Sequence, residues 1–486
     1  MLFFREDYIA SKMSLCSKNI MFLTSSKHKI LFLASSLSWL LTGCQHLPSS
    51  YSSTNLTQTT SSVEAHHFSV DYEQNLIGAL SAIRTQSNDT LPDIARHFGL
   101  GHNDIIAANP TIDPWVPAPN SVVLLPLLFT LPDAPHQGIV LNLANMRLFH
   151  YPSQQSQRVA TYPVGIGRDG WSTPVGLTSV VSKTRYPTWN VPESIQREHA
   201  QKGDPLPSSI PPGANNPLGE YAMRLGVSQY LIHGTNKPYG VGMQMSHGCV
   251  NLYPEDIRTL FDSTEVGTPV MIVDQPYLLG WHQDMLFLEA HKPLNEYQNF
   301  KDPLLTRINE FAQQQRLNID WAKVEQVLQQ ANGIPTPILV NSMSLQALTA
   351  NVMVLPHPAS FFGQPVVGGI TANDWTVSVA TLNDAKTAQK LTAIINHQGP
   401  VIPTRTFQEG SLFQVVSGPF ATEQEANKVL KRIHNEFELD GRINPPQAYS
   451  GYGYAPQNLS NQPSLYNYRR EPNFFEKLFN SIGNTF

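Results

Sequence analysis

Between residues 134 and 275 the apolar side chains alternate instead of recurring at helical spacing, and glycine, proline and asparagine cut the runs short. In GIVLNLANMRLFHY, Ile139, Leu141 and Leu143 fall on one face of an extended strand, and VATYPVGIG repeats the pattern. A segment punctuated in this way cannot build long helices, so a mostly-β domain is predicted there. It is one domain of several. At 486 residues the chain exceeds the roughly 250–300 residues at which one core stops growing, so about three domains are expected.

Composition narrows the partners. Charged residues make up 14% of the chain, against about 25% in ordinary soluble proteins. The net charge of −5 excludes a basic surface for nucleic acid, so no nucleic-acid partner is expected. Residues 45–76 include SSYSSTNLTQTTSS and read as a flexible linker, too poor in apolar side chains to fold. A second linker is expected at 341–370, around HPASFFGQPVVGG, and a mostly disordered tail at 446–486, rich in Tyr, Gly, Asn, Pro and Gln. Helical spacing of Leu304, Ile308 and Phe311, then of Trp321, Val324, Val327, Leu328 and Ala331, predicts a helical extension over 276–340 packed on the 134–275 domain.

The chain has 3 cysteines. Cys16 lies upstream of Lys27, Lys29 and the apolar run 30–41, which has the length of a signal peptide rather than a membrane span. Cys44 closes LLTGCQ, a Leu-x-Gly-Cys pattern that resembles a bacterial lipoprotein signal-peptidase site. A signal peptide over 1–44 and lipidation of Cys44 are therefore expected. Residues 1–20 resemble no targeting signal, so Met21 is the expected start. Gln45, where Asp is absent, implies by resemblance to lipoprotein sorting a membrane contact through the lipid, at the outer membrane of a Gram-negative periplasm.

Cys249 remains. It sits in SHGCVNL (246–252), beside His247, and sixteen residues after His233 in LIHGTN (231–236). A free thiol is mostly protonated at neutral pH, so a nucleophilic cysteine needs a neighbouring base or cation, and two histidines are at hand. Gly248 would let the backbone approach a reacting carbonyl, with amide hydrogens nearby to hold an oxyanion. Three other readings compete. A lone cysteine is usually inert packing, but not beside two histidine motifs. Cysteine with two histidines could begin a zinc site, yet no fourth ligand stands at the characteristic spacing, so no metal is expected. Gly165, Gly167 and Gly170 lack the strand–helix context of a phosphate loop and read as turns.

These motifs, with VGIGRDGWSTPVGLTSVVSK (164–183), PTWNVPESI (187–195) and GDPLPSSIPPGANNPLGEYAMRLG (203–226), closely resemble the L,D-transpeptidase catalytic domain. The likeness is to the periplasmic branch that includes the Braun-lipoprotein-ligating enzymes. It implies Cys249 as nucleophile, His233 as general base, and the carbonyl of Gly234 as the group that orients the base. It also implies that Ser246, His247 and Gly248 shape the donor site and oxyanion pocket. Asn251 would contact substrate where many relatives carry arginine. No cofactor is implied.

Two flanking regions carry weaker likenesses. Residues 77–131 combine Leu91, Ile94, Ala95 and Phe98 at helical spacing, Gly99 as a stop, Asn103 or Asp104 as the cap of a second helix, and strands near 79–83 and 122–125. This small α+β order resembles a LysM module, which implies binding to glycan. Over 371–445, WTVSVATLNDAKTAQKL recurs as FQVVSGPFATEQEANKVL, setting Trp375 against Phe413, Leu382 against Phe420 and Ala388 against Ala426. Each half reads strand then helix, and Thr422 with Glu425 forms a capping box. The unit resembles a SPOR domain, an α+β ferredoxin-like fold, and implies binding to glycan strands stripped of stem peptides.

The whole reads as a multidomain, lipid-tethered murein enzyme. Cys249 would attack the third residue of a tetrapeptide stem, release D-alanine and leave a thioester. A second stem's diaminopimelate amine would then give a 3-3 cross-link, an outer-membrane lipoprotein's lysine would anchor that protein to peptidoglycan, and water would make the site a carboxypeptidase or endopeptidase. A non-catalytic peptidoglycan-binding scaffold is the rival from another class.

Overall fold

The computed structural model describes residues 66–70, 75–152, 157–168, 170–201, 203–227, 230–295 and 297–446. The expected signal peptide, Cys44, most of the 45–76 linker and nearly all of the tail lie outside the described residues. No helix among the described residues is long and apolar enough to cross a membrane.

The central element is a nine-stranded sheet. Its order runs His67–Ser69, Arg158–Pro163, Arg147–Tyr151, Gly138–Asn142, Pro269–Val273, Gly176–Arg185, Tyr221–Leu225, Leu231–His233 and Val250–Asn251. Two of its pairings are parallel, Gly138–Asn142 with Pro269–Val273 and Leu231–His233 with Val250–Asn251. Alternation along Gly138–Asn142 serves two cores. Ile139 and Leu141 join Met223, Ile232 and Val250 under the helix Pro254–Ser263, whereas Val140 faces Phe149, Val159, Ile94 and Ile105. This strand is therefore buried throughout, which is why its outward positions are also apolar.

The second of those cores is shared with the region before it. Strands Ser81–Arg84 and Val122–Leu125 pair antiparallel and enclose helices Leu91–His97 and His102–Ala108. Thr90 caps the first helix, its hydroxyl accepting from the Asp93 amide at 3.1 Å. The cap of the second helix is Gly101, not Asn103 or Asp104 as the sequence suggested. Asp104 instead stands one turn in and accepts from the Gly101 amide at 2.9 Å and from Arg147 at 2.7 Å. Arg147 is only 2% exposed, so this pair fixes the module to the sheet as it satisfies a helix terminus.

Three boundaries differ from the sequence reading. His67–Ser69, assigned to the flexible linker over 45–76, is the edge strand of the main sheet. The 276–340 segment is not purely helical. It opens with the hairpin Tyr277–His282 and Met285–Ala290, and helices Lys301–Gln315 and Trp321–Gln330 pack on that hairpin through Leu286, Leu288, Leu304, Ile308, Val324 and Val327, not on the 134–275 core. The turn at Gln283 and Asp284 has positive φ at both residues, a hairpin geometry whose usual Asn-Gly or Asp-Gly signal is missing here. The expected linker at 341–370 is also structured. Met353–Leu355 adds a parallel strand beside Ser81–Arg84, and Phe361 is buried in the core of the 77–131 region.

Residues 371–445 form a separate sheet ordered Thr404–Glu409, Leu412–Phe420, Trp375–Leu382 and Arg442–Asn444, antiparallel throughout, with helices Ala385–Asn396 and Glu423–Phe437. The repeated strands are neighbours, with Trp375 opposite Phe420 and Leu382 opposite Phe413. Thr422 accepts from the Glu425 amide, but the Glu425 carboxylate takes the Ala421 amide, one residue before the cap. This domain seats on the rest of the chain. His397 meets Asp93 at 3.0 Å, Tyr239 donates to Gln398 at 2.9 Å, and Trp115 from the 77–131 region lies within the domain's core. Against the opposing effect of burial, the charge and hydrogen bond of Asp93 hold the His397 pKa above its ordinary value.

Candidate active site

The parallel pairing of Leu231–His233 with Val250–Asn251 assembles the site. Ile232 lies opposite Val250 and His233 opposite Asn251. Extending that register by one residue sets Cys249 beside Leu231, whose backbone hydrogen-bonds to its thiol. Side chains two positions apart on a strand face the same way, so His233 and Cys249 belong to one face. The two motifs, sixteen residues apart in sequence, are thus brought together by backbone pairing.

His233 is buried, and its Nδ1–H donates to the Gly234 carbonyl at 2.5 Å. That bond fixes the tautomer with the lone pair on Nε2. Burial lowers its pKa to about 4 against the opposing effect of the Gly234 bond, so the ring is neutral at neutral pH. Burial also pushes the Cys249 thiol up, opposed by the bond to Leu231. The resting pair is therefore thiol and neutral imidazole.

The loop before Cys249 is held from within. Ser246 donates its hydroxyl to the Cys249 carbonyl, and the same oxygen accepts from the Gly248 amide at 3.2 Å. The Gly248 amide, a sequence candidate for the oxyanion pocket, is engaged by that hydroxyl. Gly248 has φ of +100°, and a Cβ there would lie 2.9 Å from Tyr230 Cε1, so glycine is required on two counts. Thr173, inside a segment the sequence singled out but with no role assigned to it there, is buried and donates to the Gly248 carbonyl at 2.9 Å.

The glycines read as turns have another use. Gly165 pairs with Asn251 through two backbone bonds of 2.9 and 3.0 Å, and Gly167 lies on the short strand Ile166–Gly167 that pairs with Gln244–Ser246. A Cβ on Gly165 would meet the Asn251 side chain at 2.5 Å, and one on Gly167 would meet Gly248 Cα at 2.9 Å. Only Gly170 of the three has positive φ. Close backbone approach, not a turn, accounts for the first two.

His247 points to a cluster that sequence reasoning missed. Its Nε2 lies 2.9 Å from Arg168 Nη2 and 3.1 Å from Glu198 Oε2, and those two atoms are 2.6 Å apart. Trp171 stands edge-on to its ring at 5.0 Å. Burial lowers the His247 pKa, with the Glu198 bond opposing. Arg168 and Trp171 lay inside a segment already singled out, but Glu198 comes from the helix Glu193–Gln201 and carried no local signal. Among the described residues no group of three or more His, Cys, Asp or Glu is placed to hold a metal ion. A cavity of about 690 Å³ lies where Gly234 and Thr235 meet Arg96, Tyr239 and Gly399; neither Cys249 nor His247 is in its wall.

Comparison with known proteins gives two domain matches. The model of the YkuD L,D-transpeptidase catalytic domain matches residues 136–272, and that of the SPOR domain matches residues 371–441. The probable L,D-transpeptidase ErfK/SrfK of Escherichia coli (strain K12) is 35% identical over 281 residues, covering 56% of this chain and 89% of the relative. From the same organism, the probable L,D-transpeptidase YcfS is 36% identical, covering 53% of this chain and 83% of its own length. The probable L,D-transpeptidase YbiS is 38% identical, covering 45% and 72%.

Proposed function

This chain belongs to the L,D-transpeptidase family and carries a SPOR domain, and from that premise we propose that it transfers peptidoglycan stem peptides through a thioester on Cys249, with His233 as the base. The observation that carries the reading is the bond from His233 Nδ1 to the Gly234 carbonyl. It leaves Nε2 as the only basic atom of a neutral imidazole on the strand that pairs beside Cys249.

In the first half-reaction the Cys249 sulfur attacks the carbonyl of the third residue of a tetrapeptide stem, and His233 Nε2 takes the thiol proton. The tetrahedral intermediate collapses as His233 returns that proton to the leaving amine of D-alanine. A thioester remains. In the second half-reaction an amine attacks the thioester, forming either a 3-3 cross-link to a second stem or a link to an outer-membrane lipoprotein. Ser246 and Thr173 hold the Gly248–Cys249 backbone by their hydroxyl bonds, which supports a fixed trajectory for the sulfur. The chain would act in the periplasm, tethered by a lipid on Cys44, with the SPOR domain and the LysM-like 77–131 module bringing it to glycan strands.

The test is mass spectrometry of muropeptides from walls of cells that lack related enzymes and express the wild type or Cys249→Ala. Cysteine-dependent diaminopimelate–diaminopimelate dimers, or a lipoprotein remnant on the third residue, are expected. Tripeptides alone would replace transfer by hydrolysis, and an unchanged profile would leave only a binding scaffold.

A further inference from the structure

The cavity beside Gly234 belongs to no single domain. Its wall joins Arg96 of the 77–131 region, Tyr186 and Tyr239 of the catalytic domain, Gly363 of the 341–370 segment and Gln398 of the SPOR domain. Its volume of about 690 Å³ falls inside the range of roughly 300–1,000 Å³ for ligand sites. Two side chains in the wall are held in ways that packing alone does not explain. Gln398 is 2% exposed, and its Oε1 accepts from the Tyr239 hydroxyl at 2.9 Å. Its amide nitrogen has no hydrogen-bond partner among the described residues and is not sealed off, so this donor opens on the cavity that Gln398 lines. A buried donor without an acceptor costs free energy that a ligand recovers. Tyr186 is 60% exposed and has φ of +51°. The left-handed region disfavours a bulky aromatic residue, and such a residue held there marks a candidate functional position. Its amide donates to the Glu220 carbonyl at 2.7 Å, which fixes the ring at the cavity.

The charges around the cavity define what it excludes. Arg96 gives Nε and Nη2 to the Glu255 carboxylate at 2.8 and 2.9 Å, and His397 meets Asp93 at 3.0 Å. Both cations are thus already matched by anions. Glu220, exposed and in the same wall, has no side-chain partner among the described residues, so the charge left over is negative and an anionic ligand is repelled. Pro92, Pro238, Pro365 and Pro400 complete apolar walls without adding an N–H donor.

We propose that this cavity binds an uncharged N-acetylated sugar unit of a glycan strand, its acetamido carbonyl accepting from Gln398 Nε2 and its ring stacked on Tyr186. An apolar, partly aromatic wall with one well-placed amide donor suits such a ring. N-acetylglucosamine meets these terms, whereas a muramic acid unit carries a carboxylate or a stem peptide that Glu220 and the closed walls oppose. The site is composite: Gln398 and Tyr186 come from different domains and meet only in the assembled chain. Neither Cys249 nor His247 is in its wall, so a strand held here leaves the thiol open to stem peptides. The inference goes beyond the thioester reading and does not rest on it.

The experiment is isothermal titration calorimetry of the purified full chain with chitotetraose, a chain of N-acetylglucosamine, and with cellotetraose, which has the same linkage and hydroxyls in place of the acetamido groups. Wild type is expected to bind chitotetraose at least tenfold more tightly than cellotetraose. Tyr186→Asn and Gln398→Met should each weaken chitotetraose binding at least fivefold, or remove one site from the stoichiometry. Asparagine tolerates the positive φ at 186, so Tyr186→Asn decides alone if Gln398→Met lowers the thermal midpoint enough to unfold the chain. No binding by the wild type overturns the proposal, and equal affinity for the two sugars overturns the role of the acetamido group. Unchanged affinity and stoichiometry in Tyr186→Asn also overturn it, because the sugar would then sit elsewhere on the chain. Binding is read without turnover, so a wild type that releases no Cys249-dependent D-alanine overturns the thioester reading and not this one.

Discussion

His233 and Cys249 are neutral partners because the same burial acts on both, lowering the imidazole pKa to about 4 and raising that of the thiol. The sign matters for reactivity. A histidine with a depressed pKa offers no positive charge to stabilise a thiolate at neutral pH, so in the proposed reaction the nucleophile is made during attack. Alkylation of Cys249 by iodoacetamide is therefore expected to stay slow at neutral pH and to rise only toward alkaline pH, with no plateau between pH 5 and 8; such a plateau would reveal a preformed ion pair. Acylation by a carbapenem-type β-lactam should fall about 10²- to 10⁴-fold in His233→Ala, the usual range for loss of a general base, as read by the rate of adduct formation.

At the scale of elements, the informative surprise is the strap over 341–370. Met353–Leu355 extends a two-stranded pairing to three, Phe361 fills the core beneath it, and His357 meets Asp89 at 3.0 Å. A strand pair alone is marginal in water, and a third strand with a buried aromatic is what gives it independent stability. Phe361→Ala should cost about 3–5 kcal/mol, the range for a buried phenylalanine. The loss should appear in chemical denaturation as earlier unfolding of the 77–131 region, and hydrogen exchange should localise it to Ser81–Arg84 and Leu91–His97. Equal exchange across the whole chain would mean that the strap does not stabilise that module. Sequence reading missed the strap because its apolar run at 352–355 is short and is followed at once by prolines and then glycines.

For the molecule as a whole, histidines dominate the response to acid. His66, His102, His150 and His233 each have a pKa lowered to about 4, first by burial. An unfolded chain binds protons at these positions near 6.5 and the folded chain does not, so stability falls as pH drops from about 6.5 toward 4. Asp256 acts in the other direction, because burial raises its pKa well above the free value and the folded protein retains a proton that the unfolded chain has lost. His397, raised by Asp93, gives stability that is present below 6.5 and lost as pH rises through its folded pKa. Among the described residues His97, His136 and His247 are lowered as well, so seven histidines stand against two raised carboxyls, Asp256 and Asp274, and the raised His397, and the thermal midpoint should fall between pH 6.5 and 4. Differential scanning calorimetry at constant ionic strength reads this directly, and a midpoint rising toward pH 4 would contradict it.

The sequence by itself determined the β-rich L,D-transpeptidase catalytic domain and the SPOR domain. The residues around Cys249, the His233–Gly234 pair and the repeat over 371–445 are contiguous motifs, legible because local spacing fixes their geometry, and the alternation in 138–142 revealed a strand before any partner was known. Tertiary structure alone decided which distant segments meet. Glu198 reaches His247 across 49 residues, Asp93 reaches His397 across 304, and Met353–Leu355 finds Ser81–Arg84. None of these pairings has a local signature, because burial of apolar faces selects among many chain crossings that look alike in sequence. The same holds for protonation. The residue types marked Cys249 and His233 as candidates, but only the depth at which the fold buries them lowers the pKa of the one ring and raises that of the thiol.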